Sequence, residues 1–111
     1  MISFEEFKKI ELKIGKILTA EKVEGSEKLL KLAVDFGEES PRQVVSGIAK
    51  SYEPEVLVGK EFVFVTNLEP RNIMGLESQA MILATIKKGG TKEEIILMKP
   101  VKKVKPGSVL G

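Results

Sequence analysis

Ile10-Glu11-Leu12-Lys13-Ile14-Gly15-Lys16-Ile17 alternates apolar with charged residues as far as Gly15, where the phase slips and Ile17 takes the apolar place. Alternation at period two marks a β-strand with one face buried, because successive side chains point to opposite faces. A glycine at a phase slip inside such a pattern predicts a bulge at Gly15 that bends the strand. The strand continues to Val23, so it is long as well as bent. A small barrel needs such a strand, which contributes to both halves of the wall.

Downstream, Glu24-Gly25-Ser26-Glu27 reads as a turn, and Leu30, Leu32, Val34 and Phe36 share one face of a second strand against Lys31, Ala33 and Asp35. Residues 37–41 form a loop and residues 43–48 a third strand. Residues 51–57 predict a short helix, with Pro54 in its first turn, where a missing N–H costs little. Gly59 closes it. Residues 60–68 alternate again, Phe62, Phe64 and Thr66 against Val63, Val65 and Asn67. Residues 69–77 read as irregular, residues 79–86 as a strand, Gly89-Gly90 as a hairpin turn and residues 93–98 as its return strand. Residues 99–111 are a basic extension punctuated by Pro and Gly. Three strands, a short helix, then two or three strands predict an all-β, five-stranded OB barrel with a short helix between strands 3 and 4. An SH3-like barrel is the competitor, but it usually lacks that helix. At the other end, Ser3 and Glu6 form a capping pattern that opens a short helix over residues 3–9. Its stripe of Phe4, Phe7 and Ile10 must dock on the barrel or on another chain, because one and a half turns cannot stand alone.

The 111 residues fit one domain, residues 1–111, with 42% apolar and 31% charged residues indicating a globular chain with a densely charged surface. Cysteine and histidine are absent, which removes disulfides, thiolate metal sites and the usual neutral-pH general base. Gly59-Lys60 lacks the upstream glycine of a phosphate-cradling loop. Glu5-Glu6, Glu38-Glu39 and Glu93-Glu94 lie at ends and loops with no partner to split their pKa values. The chain therefore reads as a non-enzyme with no metal and no cofactor. No apolar run of 18 residues exists, so no membrane span is expected. The first residues carry Glu5 and Glu6 rather than an apolar signal core, so the expected location is the cytoplasm. A formal net charge of +2 does not announce a nucleic-acid binder, so any such surface needs its cations gathered on one face.

One segment is more specific. Asn67-Leu68-Glu69-Pro70-Arg71-Asn72-Ile73-Met74-Gly75-Leu76-Glu77-Ser78-Gln79-Ala80-Met81 resembles the signature of the tRNA-binding domain family. Gly25-Ser26-Glu27-Lys28-Leu29-Leu30 and Val44-Val45-Ser46-Gly47-Ile48-Ala49 resemble the second- and third-strand motifs of the same family. That family includes freestanding dimeric tRNA-binding proteins, beta subunits or C-terminal domains of methionyl-tRNA synthetase, and the endothelial monocyte-activating polypeptide domain. The resemblance implies an OB barrel that grips the outer corner of tRNA. It further implies a homodimer, with residues 1–9 and 99–111 as its interface, and a role in protein biosynthesis beside a synthetase. The alternative is a secretion chaperone-like, peptide-binding group on the same fold. The family usually has glycine where this chain has Ala80, so a methyl group narrows the site.

Residue chemistry fits an RNA contact surface. Arg71 offers a planar fork of donors for phosphate. Asn67, Ser78 and Gln79 offer neutral donors and acceptors for phosphate, ribose or base edges. Met74 and Met81 supply adaptable apolar contact, Met81 pointing outward if Ala80 and Ile82 face the core. Lys31 and Arg42 extend the cationic face. Most of the Phe residues read as core, so recognition of RNA shape, phosphate and 2′-OH is expected rather than aromatic stacking.

Overall fold

The computed structural model describes residues 1–87 and 94–111; the expected turn at Gly89-Gly90 and the start of its return strand at Glu93 lie outside the described residues. In chain order the elements are α1 (Phe4–Phe7), β1 (Leu12–Lys22), β2 (Leu30–Asp35), β3 (Arg42–Ser46), α2 (Pro54–Leu57), β4 (Glu61–Val65), β5 (Arg71–Ile73), β6 (Leu76–Ser78), β7 (Met81–Ile82), β8 (Ala84–Lys87), β9 (Glu94–Leu97) and β10 (Val109–Leu110). The main sheet runs β3-β2-β1-β4-β7, with β10 added to β1; β5-β6 and β8-β9 are separate hairpins. The five strands curl into a nearly closed, OB-like barrel, with α2 between β3 and β4 as the sequence predicts.

β1 serves both halves of the wall. Its first part pairs with β4 from Leu12↔Val65 to Lys16↔Glu61, and its second part pairs with β2 from Lys16↔Asp35 to Lys22↔Leu30. The bulge is not at Gly15, whose pairing with Phe62 is regular; the register shifts between Ile17 and Thr19. Ile17 continues the ladder on the β4 side, its N–H donating to Lys60 O at 2.9 Å and its carbonyl accepting from Gly59 N at 2.8 Å, and Leu18 is the extra residue opposite the step from Val34 to Ala33. Gly15 is needed for space instead: a Cβ there would lie 2.5 Å from Val34 Cγ1 and 2.6 Å from Phe36 Cε1.

The core inside the barrel is built on Ile17, Leu32, Val34, Val44, Leu57 and Phe64, with the Phe36 and Phe64 rings edge to face at 5.1 Å. Ala20 of β1 packs against this core, whereas Ile14 lies outside it. Ile14 is buried there because the chain returns over it, Ile14 N donating to Ser108 O at 2.8 Å and Gly107 N to Ile14 O at 2.7 Å. Residues 99–111 thus end as a sixth strand on the barrel. The capping box at Ser3 and Glu6 forms as expected, but α1 buries none of its residues: Phe4 is 68% exposed, and Ile10, past its end, is 45% exposed.

Two sequence readings change between β4 and β9. The stretch read as irregular, residues 69–77, contains the β5-β6 hairpin, and the strand read over residues 79–86 is broken at Leu83 into β7 and β8. Ile73-Met74-Gly75-Leu76 carries no Asn-Gly or Asp-Gly signal, which is why the hairpin was hidden. Met74 (φ 51°) and Gly75 (φ 81°) occupy its two-residue turn, both in the left-handed region that primed hairpin turns require. Asn72 Oδ1 accepts from Gly75 N at 2.9 Å and supports the turn from within.

Candidate nucleic-acid interface

The β5-β6 hairpin brings Ser78 to the free backbone edge of β3. Val44 belongs to the core, so Val45 points the other way, and it is buried beneath this hairpin at 5% exposure. The seam between β3 and the chain leading into β7 is closed largely by side chains. Val45 N donates to Ser78 Oγ at 2.9 Å, Gln43 N to Gln79 Oε1 at 3.2 Å, and Gln43 Nε2 to Glu77 O at 2.9 Å. One backbone bond, Gln79 N to Gln43 O at 2.8 Å, joins them. At the hairpin tip, a Cβ on Gly25 would lie 3.8 Å from Met74 Cε, so the tip reaches the β1-β2 turn. These two loops, after the first strand and after the fourth, are those with which OB barrels commonly hold oligonucleotides.

Beside the hairpin runs a groove lined by Leu68, Arg71, Ile73, Val45, Ser46 and Met81. Past Met81 it continues into an apolar hollow of about 340 Å³, walled by Ile48, Ile82, Ala84, Ile86 and Ile95. Arg71 is exposed at the rim and has no side-chain hydrogen bond or ion pair among the described residues. Met74 is 60% and Met81 44% exposed, whereas Ala80 and Ile82 are buried, the alternation expected of that strand. The Ala80 methyl is part of the core as well as of the groove floor.

The other sequence-predicted residues are already engaged within the chain. Ser78 is buried and Gln79 half-buried in the seam. Asn67 turns away from the groove: its Oδ1 accepts from Glu11 N and its Nδ2 donates to Lys9 O, both at 2.8 Å. Lys31, on the outer face of β2, pairs with Glu21 at 2.7 Å. Arg42 lies under the base of the loop. Its Nε and Nη2 grip the two oxygens of Glu38 at 2.9 and 2.7 Å, and its Nη1 donates to Thr66 O at 2.6 Å and Gln79 O at 3.3 Å. That hydrogen bonding lowers the Glu38 pKa and raises that of Arg42, each against the opposing effect of burial. The Glu11 carboxyl is also held below its usual range, chiefly by the hydrogen bond from the Thr66 hydroxyl at 2.6 Å. Sequence reading missed Asn72, Leu68 and the apolar hollow. The N-x-x-G spacing of Asn72 and Gly75 was the one signal that could have exposed the hairpin.

Among the described residues no group of three or more Asp or Glu is placed to hold a metal ion, and no helix is long and apolar enough to cross a membrane. Fold and groove together define a small OB-like barrel with an open groove on one wall. The chain belongs to the family described as "Putative tRNA binding domain", which matches residues 12–109. It is 51% identical over 90 residues to a methionine--tRNA ligase of Methanocella arvoryzae, covering 81% of this chain and 13% of that protein. It is 50% identical over 107 residues to the methionine--tRNA ligase of Archaeoglobus fulgidus, covering 96% and 16%. The chain thus spans only 13–16% of the length of these curated relatives. Among solved structures it resembles a MetRS related protein from Pyrococcus horikoshii, with a TM-score of 0.90, 37% identity, and coverage of 100% of this chain and 98% of that one. It also resembles the chaperone CsaA of Bacillus anthracis, with a TM-score of 0.87, 30% identity, and coverage of 100% and 99%.

Proposed function

We propose that the chain binds folded tRNA, with little regard to base sequence, along the groove between the β5-β6 hairpin and Met81. It acts in the cytoplasm as a non-catalytic module, either freestanding or as a methionyl-tRNA synthetase beta subunit that helps deliver tRNA. The observation that carries this reading is Arg71: exposed, free of protein partners among the described residues, and central to the segment that resembles the tRNA-binding signature. Its guanidinium takes a phosphate, the Met74 and Met81 thioethers cover ribose or base faces, and the exposed Asn72 adds a polar contact. Ser78, Gln79, Arg42 and Asn67 hold the hairpin in place, and Lys31 adds charge at the edge. Aromatic side chains are absent from the groove lining described, which favours recognition of backbone shape over stacking.

Gel shifts with folded tRNA and with unstructured RNA across a salt series test this. Arg71→Ala is expected to weaken tRNA binding roughly tenfold and to reduce the salt slope by about one. Unchanged affinity and slope would remove Arg71 from the interface. Binding of both RNAs alike would remove the preference for folded tRNA.

For assembly, Phe4, Phe7, Ile10, Leu12, Val109 and Leu110 line a hollow of about 390 Å³ on the terminal face. A second copy of the chain closing over this apolar face gives a homodimer, read directly as mass in solution. A second function is favoured by the apolar hollow and by the likeness to CsaA: capture of unfolded polypeptide. Polypeptide that competes with tRNA for the groove supports it, and tRNA binding with no polypeptide binding excludes it.

A further inference from the structure

The loop that carries Arg71 leaves the barrel at Thr66, just after β4, and returns at Gln79, just before β7. A single guanidinium spans both ends. Arg42 Nη1 reaches Thr66 O and Gln79 O, while Nε and Nη2 are occupied bidentately by Glu38, four residues earlier in the loop between β2 and β3. The guanidinium also stands 5.4 Å over the Phe36 ring, and Phe36 is itself a core residue packed on Phe64. A guanidinium has five N–H groups in a fixed plane, and four of these contacts are made within the chain. The Arg42 side chain is 22% exposed, so little of its charge faces outward.

We infer that Arg42, oriented by Glu38, is a positioning residue that locks both ends of the RNA-binding loop onto the barrel and does not itself contact RNA. This rests on the tRNA-binding reading above. A planar fork suits the task and an ammonium does not. Lysine has the charge, but it cannot hold a carboxylate bidentately while donating in the opposite direction to two carbonyls. The lock and a direct phosphate contact therefore make opposite predictions for two charge-controlled variants.

In Arg42→Lys the charge is kept and the fork is lost. The lock predicts roughly tenfold weaker tRNA binding with the salt slope unchanged, since no phosphate contact has been removed. A phosphate contact predicts near-normal binding, and that result overturns the inference. In Glu38→Gln the protein gains one positive charge and Arg42 loses its ionic anchor. The lock predicts weaker tRNA binding despite the added charge, whereas a phosphate contact predicts tighter binding and a steeper salt slope. Tighter binding would overturn the inference even if Arg42→Lys failed to fold.

Hydrogen exchange of the free proteins separates this idea from the function it serves. Both variants should speed exchange of the amides of residues 67–79 several-fold while leaving those of β2 as in the parent. Uniform acceleration, or none, refutes the lock. If the parent protein binds no tRNA, the functional reading fails, and the exchange result alone decides the lock.

Discussion

Ser78→Ala separates a side chain that builds the interface from one that touches the ligand. Ser78 is 6% exposed, and its hydroxyl lies between two strands that share few backbone bonds. It accepts from Val45 N at 2.9 Å and donates toward Ala80 O at 3.1 Å. Alanine removes both contacts and leaves the Val45 N–H buried without an acceptor. An unmatched buried donor costs about 1–3 kcal/mol, so a loss near 2 kcal/mol is expected. For a chain of this size 1 kcal/mol corresponds to about 4–6 °C, which places the fall in melting temperature at roughly 8–12 °C. Thermal melts followed by circular dichroism measure it. Gel shifts well below the transition should show the parent's salt slope, because no phosphate contact is lost. A fall under about 2 °C would mean that the seam does not depend on this hydroxyl. An unchanged melting temperature with weaker tRNA binding would refute the reasoning outright, since it would make Ser78 a ligand contact.

Gly15→Ala forces a methyl to within 2.5 Å of Val34 and 2.6 Å of Phe36, and should destabilise the barrel by about 1–3 kcal/mol in urea denaturation. Met74→Asn places at the left-handed turn position a residue that tolerates it, so the melting temperature should rise slightly while tRNA affinity falls with loss of the thioether contact. Glu38 and Glu11 both titrate below the ordinary 4.5 in the folded chain, so their contribution is complete above that pH and is lost as pH falls through the lower folded values. Melting temperatures measured from pH 6 to pH 2 should therefore fall over that window, and Glu38→Gln should flatten part of the fall.

The barrel itself could be read from the chain because its cause is local. Leu30, Leu32, Val34 and Phe36 alternate without interruption, and all four are buried. Ser3 and Glu6 spell their own capping box, and Pro54 and Gly59 bracket α2. A period of two and a few capping or turn residues carry this information within a handful of positions. The segment around Arg71 was legible as a motif, and Met81 was legible as the exposed neighbour of two buried residues.

Which partners Arg42 and the polar residues Asn67 and Ser78 of that motif take within the chain was decided by tertiary structure, because those partners lie far along the sequence. Asn67 bonds to Lys9 and Glu11, Ser78 to Val45, and Arg42 to Thr66 and Gln79, at separations of 24 to 58 residues. A serine, asparagine or arginine has the same donors and acceptors whether it faces a ligand or closes a seam. The glycine at position 15 shows the same limit: the phase slip was visible, but only the packed Val34 and Phe36 reveal that the absent side chain is a matter of space. The sequence by itself determined the succession of the first four barrel strands with their helix, and the segment to watch. The closed barrel decided that Arg71 stands exposed with no side-chain partner among the described residues while Arg42, Asn67, Ser78 and Gln79 are bonded within the chain, since hydrogen-bonding capacity is local but its satisfaction is not.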